Sequence, residues 1–189
     1  MDLAIRDLYH LDITAEGEDG QALLHGLLHK VHGFNSLRAA NVLGVDFPAW
    51  SGNCAASIAA RGTLRVLGRL AELTEFSSQP QISRLKSMGL RVTAPGPVRV
   101  EGKFCRVLRD VKTRQLSAAY RKRFAARNGR ELPTAAIVKG HTIAVPMHSK
   151  SNQRTFSLFV RKQSEAPAEF VAFNSYGLTV TGAIPSFTA

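Results

Sequence analysis

The chain has 189 residues, 44% of them apolar, and sets 25 Lys or Arg against 14 Asp or Glu for a net charge of +11. That length allows one compact domain or two small ones with a real core, and no apolar run approaches the roughly 18 residues of a membrane span. Cys54 and Cys105 form no CxxC pair, and the start MDLAIRDLYH lacks the basic n-region of an export signal, so the expected setting is a reducing cytoplasm with no membrane attachment.

Tyr9-His10-Leu11-Asp12-Ile13 alternates apolar and polar residues and predicts a half-buried strand, with Leu3 and Ile5 extending it. After a turn at Gly17–Gly20, capped by Asp19, a helix is predicted over about Gln21–His32. Its core face is Leu23, Leu24, Leu27, Leu28 and Val31, and Gly33 is placed as its C-terminal stop. Val42–Phe47 and Thr63–Leu67 predict strands. A helical stretch from about Leu70 to Met88, broken near Pro80, leads through Gly89 to a strand at Leu90–Thr93. Strand, helix, strand, strand, helix, strand is the ferredoxin-like order, also that of the RRM. The expected fold class is therefore α+β. It comprises an N-terminal ferredoxin-like, RRM-like domain over 1–94 and a C-terminal α/β portion over 95–189, divided at Ala94-Pro95-Gly96-Pro97.

The second portion opens on the stretch that carries nearly all the surplus charge. Arg99 to Arg130 sets eleven Lys or Arg against Glu101 and Asp110, whereas residues 1–98 balance nine against nine. A single-signed island between neutral flanks is the footprint of a polyanion partner, because each cation near a phosphate releases a condensed counterion. Within it, about 111–128 predicts a helix anchored by Leu116, Tyr120 and Phe124 at i, i+4, i+8. Arg114 and Arg121 share a face with the small Ala118 and Ala125. Lys112 stands at the predicted start, and Lys122, Arg123 and Arg127 flank the ridge, which is smooth enough to lie in a nucleic-acid groove. Asn128-Gly129 is the predicted stop. Beyond the helix come a segment Thr142–Pro146, a polar loop His148–Arg154 and an alternating strand Phe156–Arg161. A closing hairpin, Phe170–Phe173 with Leu178–Thr181, surrounds Ser175-Tyr176-Gly177.

Three histidines, His25, His29 and His32, lie at i, i+4, i+7 on the first helix. His-x-x-x-His is a metal-ligand spacing, but the neighbourhood offers only distant Asp46 and Cys54 as further ligands, so no metal or other cofactor is expected. His25 and His29 read as helix-flank residues. His32 is set apart by its predicted place at the helix C-terminus, where the macrodipole favours a cation, and histidine is the usual proton carrier near neutral pH. From residue 99 onward only five acids occur, widely scattered, and no GxSxG, HExxH or phosphate-binding glycine loop is present. Phosphodiester cleavage by such a chain points to the ribose 2′-OH as nucleophile, which restricts the substrate to RNA. His148-Ser149-Lys150-Ser151-Asn152-Gln153-Arg154 with Phe156 suits that chemistry: two hydroxyls, two cations and an aromatic ring able to stack on a base.

Lys30-Val31-His32-Gly33-Phe34-Asn35, Gly44-Val45-Asp46-Phe47-Pro48, Phe156-Ser157-Leu158-Phe159-Val160-Arg161 and Ser175-Tyr176-Gly177-Leu178 follow in order along the chain. Together they resemble the CRISPR repeat-processing endoribonuclease family of type I-F systems. The resemblance implies a protein that binds the CRISPR repeat hairpin through an arginine-rich helix and cuts at the hairpin's 3′ base. It also implies one that stays with the mature crRNA as a subunit of a surveillance complex. It matches the family histidine to His32 and not His29, the ribose-positioning serine to Ser149 and the second serine to Ser151. The family tyrosine falls on Tyr176 and the stacking phenylalanine on Phe156. Arg106 matches the arginine that forks onto the O6 and N7 of a guanine, with Arg109 the alternative reader. The family glutamine two residues after that arginine is Leu108 here. Two helix arginines fall on Ala118 and Ala119, Lys122 and Arg123 are kept, and Arg114 and Arg121 are added. The other reading of the same residues is a non-catalytic RNA-hairpin-binding subunit.

Overall fold

The structure, a computed structural model, describes residues 2–15, 20–38, 40–48, 62–100, 102–110, 118–130, 142–149 and 153–186. Side chains are described from residue 26 onward in the first helix and from residue 120 onward in the last. The chain is α+β, and the strands among the described residues all pair antiparallel. One sheet takes the order β3 (Gly44–Asp46), β4 (Thr63–Gly68), β2 (Tyr9–Ala15), β5 (Leu90–Val92), and β6 (Gly96–Pro97) also pairs with β2. Between these strands run α1 (Gly20–Leu37), α2 (Leu70–Ser78) and α3 (Pro80–Ser87). A second sheet is ordered β12 (Ile184–Pro185), β7 (Phe104–Arg109), β9 (Thr155–Glu165), β8 (Thr142–His148). A third joins β1 (Leu3–Ala4) to β10 (Phe170–Phe173) and β11 (Thr179–Gly182). The last helix, α4, spans Ala118–Asn128.

Alternation decides the faces of the first sheet. Leu11, Ile13, Leu64 and Val66 point one way and are fully buried beneath α1 and α2. The opposite face carries His10, Asp12 and Thr14, paired in register with Leu67, Arg65 and Thr63. There Arg65 holds Asp12 in a two-pronged pair at 2.6 and 2.7 Å. Asp46 on β3, fully buried, meets Lys162 of β9 at 2.7 Å. Phe173 of β10 presses on Gly44, where a Cβ would come within 2.2 Å of the ring. The other two sheets thus cover this face at β3, while His10, Asp12 and Thr14 on β2 stay half-buried. Sheet pairing also crosses the expected boundary at residues 94/95, since β6 joins β2 and β1 joins β10.

Pro80 divides the second helical stretch as expected, standing at the first turn of α3, where its missing N–H would have no helical partner. Gly129 ends α4 in the left-handed region at φ +62°, its N–H bonding Ala125 O at 2.9 Å. The expected start of that helix, with Lys112, Arg114 and Leu116, lies outside the described residues.

Two expectations are corrected. Leu3-Ala4 does not extend β2 but pairs with Val171 and Phe170, and Ile5–Asp7 forms a 3₁₀ turn between them. Nor does α1 stop at Gly33: it continues to Leu37. Phe34 is buried and packs edge-on against Phe76 at 5.6 Å, while Arg38 lies over the Phe34 ring and pairs with Glu75. These tertiary contacts outweigh the glycine stop. His32 therefore sits inside the helix, more than a turn from its end, and the macrodipole argument for it does not apply. Among the described residues no helix is long and apolar enough to cross a membrane.

Gly33 lacks the positive φ of a helix stop, and nothing lies within 4 Å of where its Cβ would stand. Gly33→Ala should then stabilise the protein by about 0.5–1 kcal/mol in urea denaturation, the gain expected in a helix interior. A loss of stability would place Gly33 in a left-handed cap after all.

Candidate active site

Residues 174–178 form a tight turn between β10 and β11. The Asn174 side-chain oxygen accepts from the N–H of Tyr176 at 2.9 Å and of Leu178 at 3.1 Å, and Asn174 and Leu178 are joined through their backbones. Gly177 sits at φ +78°, and a Cβ there would lie 3.0 Å from Val45 and 3.2 Å from Val31, so glycine is favoured where the turn lies against α1 and β3. Val45 N–H donates to Gly177 O at 2.9 Å, tying the turn to the edge of the first sheet.

That seating brings Tyr176 over His32. The two rings stack with centroids 4.2 Å apart and planes 8° from parallel. His32 Nδ1 lies 3.3 Å from Ser175 O. A carbonyl can only accept, so Nδ1 is the donor, and in the neutral ring the lone pair is on Nε2. The imidazole is thereby held by an edge and a face while Nε2 is left for chemistry. Ser36 Oγ, one turn on, lies 3.5 Å from the same Nδ1.

Sequence reasoning missed Asn35, three residues further along this face of α1. It is 1% exposed. Its amide pairs with both backbone groups of Leu43, accepting from the N–H at 3.0 Å and donating to the C=O at 2.9 Å, and also reaches Ser175 O at 3.4 Å. His32 and Asn35 thus donate to one carbonyl. No signal in the sequence marks Asn35, because the predicted helix ends at Gly33 and leaves it beyond, whereas α1 runs on to Leu37 and an asparagine inside a helix has no reason in intrinsic propensity.

His29, read as a helix-flank residue, accepts through Nε2 the N–H of His148 at 2.9 Å. Ser149 follows directly and donates its own N–H to Arg154 O at 2.9 Å. Gln153, next to Arg154, lies in the left-handed region at φ +53°. Ser149 is therefore brought to the helix that carries His32. Ser151 and the side chain of His25 lie outside what is described. Phe156 pairs in register with Met147, at the same end of the second sheet as Ser149.

The two arginines offered as base readers point to opposite faces of β7, being three residues apart on a strand. Arg106 bonds Val180 O and stands 3.7 Å from Glu165. Arg109 is exposed near the other end, opposite Val160. Arg106 is seven strand positions from Phe156 in the β9 register, about 23 Å. On α4, Lys122, Arg123 and Arg127 are exposed and Arg121 is half-buried, with Tyr120 and Phe124 stacked at 6.4 Å. Burial, then the Asp46 carboxylate, push the Cys105 thiol up to about 12, against the opposing pull of Lys162 and Ser186, so it is no thiolate nucleophile. Burial, then Arg65, lower His10 despite Asp12. Among the described residues no three His, Cys, Asp or Glu side chains gather as metal ligands.

The family model described as CRISPR-associated protein (Cas_Csy4) matches residues 10–187, from β2 to beyond β12. The chain belongs to that family. No curated protein matches it significantly. Membership in the Cas_Csy4 family gives the chain a CRISPR-associated role in repeat processing, among endoribonucleases that bind CRISPR repeat RNA. Each of the four motifs that carry the resemblance lies inside the matched span.

Asn35→Leu removes the amide at nearly constant volume and strands the buried backbone groups of Leu43. Urea denaturation should show a loss of about 1–3 kcal/mol, the cost of unpaired buried polar groups. A stability change within error would show that water replaces the amide.

Proposed function

We propose that the protein is a metal-independent endoribonuclease that binds the CRISPR repeat stem-loop and cuts pre-crRNA at the 3′ base of the hairpin. The observation that carries this reading is the His32 imidazole, fixed through Nδ1 and stacked on Tyr176 with Nε2 left to exchange a proton. In the reaction the 2′-oxygen attacks the adjacent phosphorus as its proton departs, and the 5′-oxygen leaves and gains one. A 2′,3′-cyclic phosphate and a 5′-hydroxyl end result. His32 moves a proton in this exchange, Ser149 fixes the ribose with Ser151 beside it, and Tyr176 aligns the ring. Metal independence is supported by the five scattered acids of the second half and requires no cofactor.

Recognition is assigned to the second portion, 95–189. The basic helix around 111–128 lies in the groove of the stem, offering Lys112, Arg114, Arg121, Lys122, Arg123 and Arg127 to phosphates. Arg106 forks onto a guanine, with Arg109 as the alternative, and Phe156 stacks on a base. Residues 1–94 form a ferredoxin-like, RRM-like unit carrying the catalytic histidine. In its favour is the strand order β3-β4-β2-β5 with helices between. On its polar face Arg65 and Asp46 are buried and paired, which argues against RNA binding there. The enzyme keeps its product and acts in the cytoplasm as a subunit of a type I-F surveillance complex.

His32→Ala should slow single-turnover cleavage of a repeat hairpin by on the order of 10²–10⁴-fold, the usual loss for an acid or base. Hairpin affinity should barely change. Cleavage at the wild-type rate would leave the histidine idle. Loss of cleavage together with affinity would make it a binding residue. Arg121→Ala with Lys122→Ala should lower the slope of log affinity against log salt by about 1–2, roughly one per lost phosphate contact. An unchanged slope would turn this helix away from the RNA.

A further inference from the structure

His29 and His32 stand three residues apart, so their side chains leave the same side of α1 one turn from each other. His32 reaches the 174–178 turn and His29 reaches the end of β8, where its Nε2 accepts the His148 N–H at 2.9 Å. Among the described residues β8 is the edge of its sheet, paired with β9 alone. An edge strand leaves alternate N–H groups without a ladder partner, and α1 takes this one through an imidazole. The bond needs the lone pair on Nε2, so the proton of this ring is on Nδ1. The next residue is Ser149, whose N–H is fixed to Arg154 O. Ser149 is therefore gripped from two sides, by the hairpin behind it and by the catalytic helix in front.

We propose that His29 is a positioning residue: it sets the distance between Ser149 and His32 by anchoring the end of β8 to α1. The proposal rests on the reading of Ser149 as the residue that fixes the ribose. His29 does not exchange a proton with RNA, because its Nε2 is committed to the backbone.

Glutamine separates the two roles, since its side-chain oxygen can reach where Nε2 stands and accept the same N–H but cannot act as an acid or base. The test compares single-turnover cleavage of the repeat hairpin by wild type, His29→Leu, His29→Gln, Ser149→Ala and the double variant His29→Leu/Ser149→Ala. Hairpin affinity and thermal melting are measured in parallel. His29→Leu should cleave about 10–100-fold slower, the range for a misplaced group, with affinity within about threefold. His29→Gln should recover most of the rate. The double variant should be no slower than Ser149→Ala, because His29 acts through that serine. Wild-type cleavage by His29→Leu beside a slow Ser149→Ala would overturn this proposal alone. A Gln variant that folds yet is as slow as Leu would also overturn it, making His29 a proton carrier. Wild-type cleavage by Ser149→Ala would bring down the reading of the serine, and the positioning role with it.

Discussion

The carbonyl of Ser175 is the point on which the site depends. It accepts from His32 and from Asn35, two residues of one helix face, and it belongs to a turn more than 135 residues away in sequence. Without it His32 has no fixed ring orientation, Tyr176 has no seat over the imidazole, and Asn35 loses a third partner. The turn reaches that position because Gly177 admits a positive φ and a close approach that a Cβ would strain. A helix, a loop before β3 and a distant hairpin are thereby joined by small, directional interactions rather than by apolar area.

Packing then makes that junction rigid. The polar face of the first sheet carries Asp12, Arg65 and Asp46, none of them stable in a covered position unless paired. Arg65 takes Asp12 within the sheet, whereas Asp46 must be met from outside, by Lys162 of β9. Lys162 also reaches Phe47 O at 3.4 Å. β9 also carries Phe156 and pairs with the strand leading to Ser149, so the pair that neutralises Asp46 ties the second sheet to the first.

The elements with clean periodicity were legible in the sequence. β2, β4, β5 and the β10–β11 hairpin lie where alternation puts them, and Pro80 and Gly129 act as their chemistry dictates. β7 was not legible because the charges of Arg106 and Arg109 interrupt its apolar pattern, although Phe104 and Cys105 before Arg106 and Val107 after it are buried. Gly33 misled because a glycine after an apolar run is the usual helix stop, and the contacts that override it, Phe76 and Glu75, lie about 40 residues away. His32 stacks on Tyr176, a residue far along the chain, and no motif spacing marks that pairing. Asn35 and His29 were not legible as positioning groups, since their partners are backbone atoms that no sequence motif marks. Opposite faces for Arg106 and Arg109 follow from strand geometry, which the helix-centred reading of this stretch did not supply.

The central claim is that a histidine fixed by one helix and one turn drives attack by the ribose itself. It is tested most directly with two repeat hairpins in EDTA, identical except that one carries a single 2′-deoxyribose just upstream of the scissile phosphate. The account predicts one cut in the all-ribose hairpin, leaving a 5′-hydroxyl end, and tight binding without cleavage for the deoxy hairpin. Cleavage of the deoxy hairpin, or failure of the all-ribose hairpin to be cut until a divalent cation is restored, would contradict it.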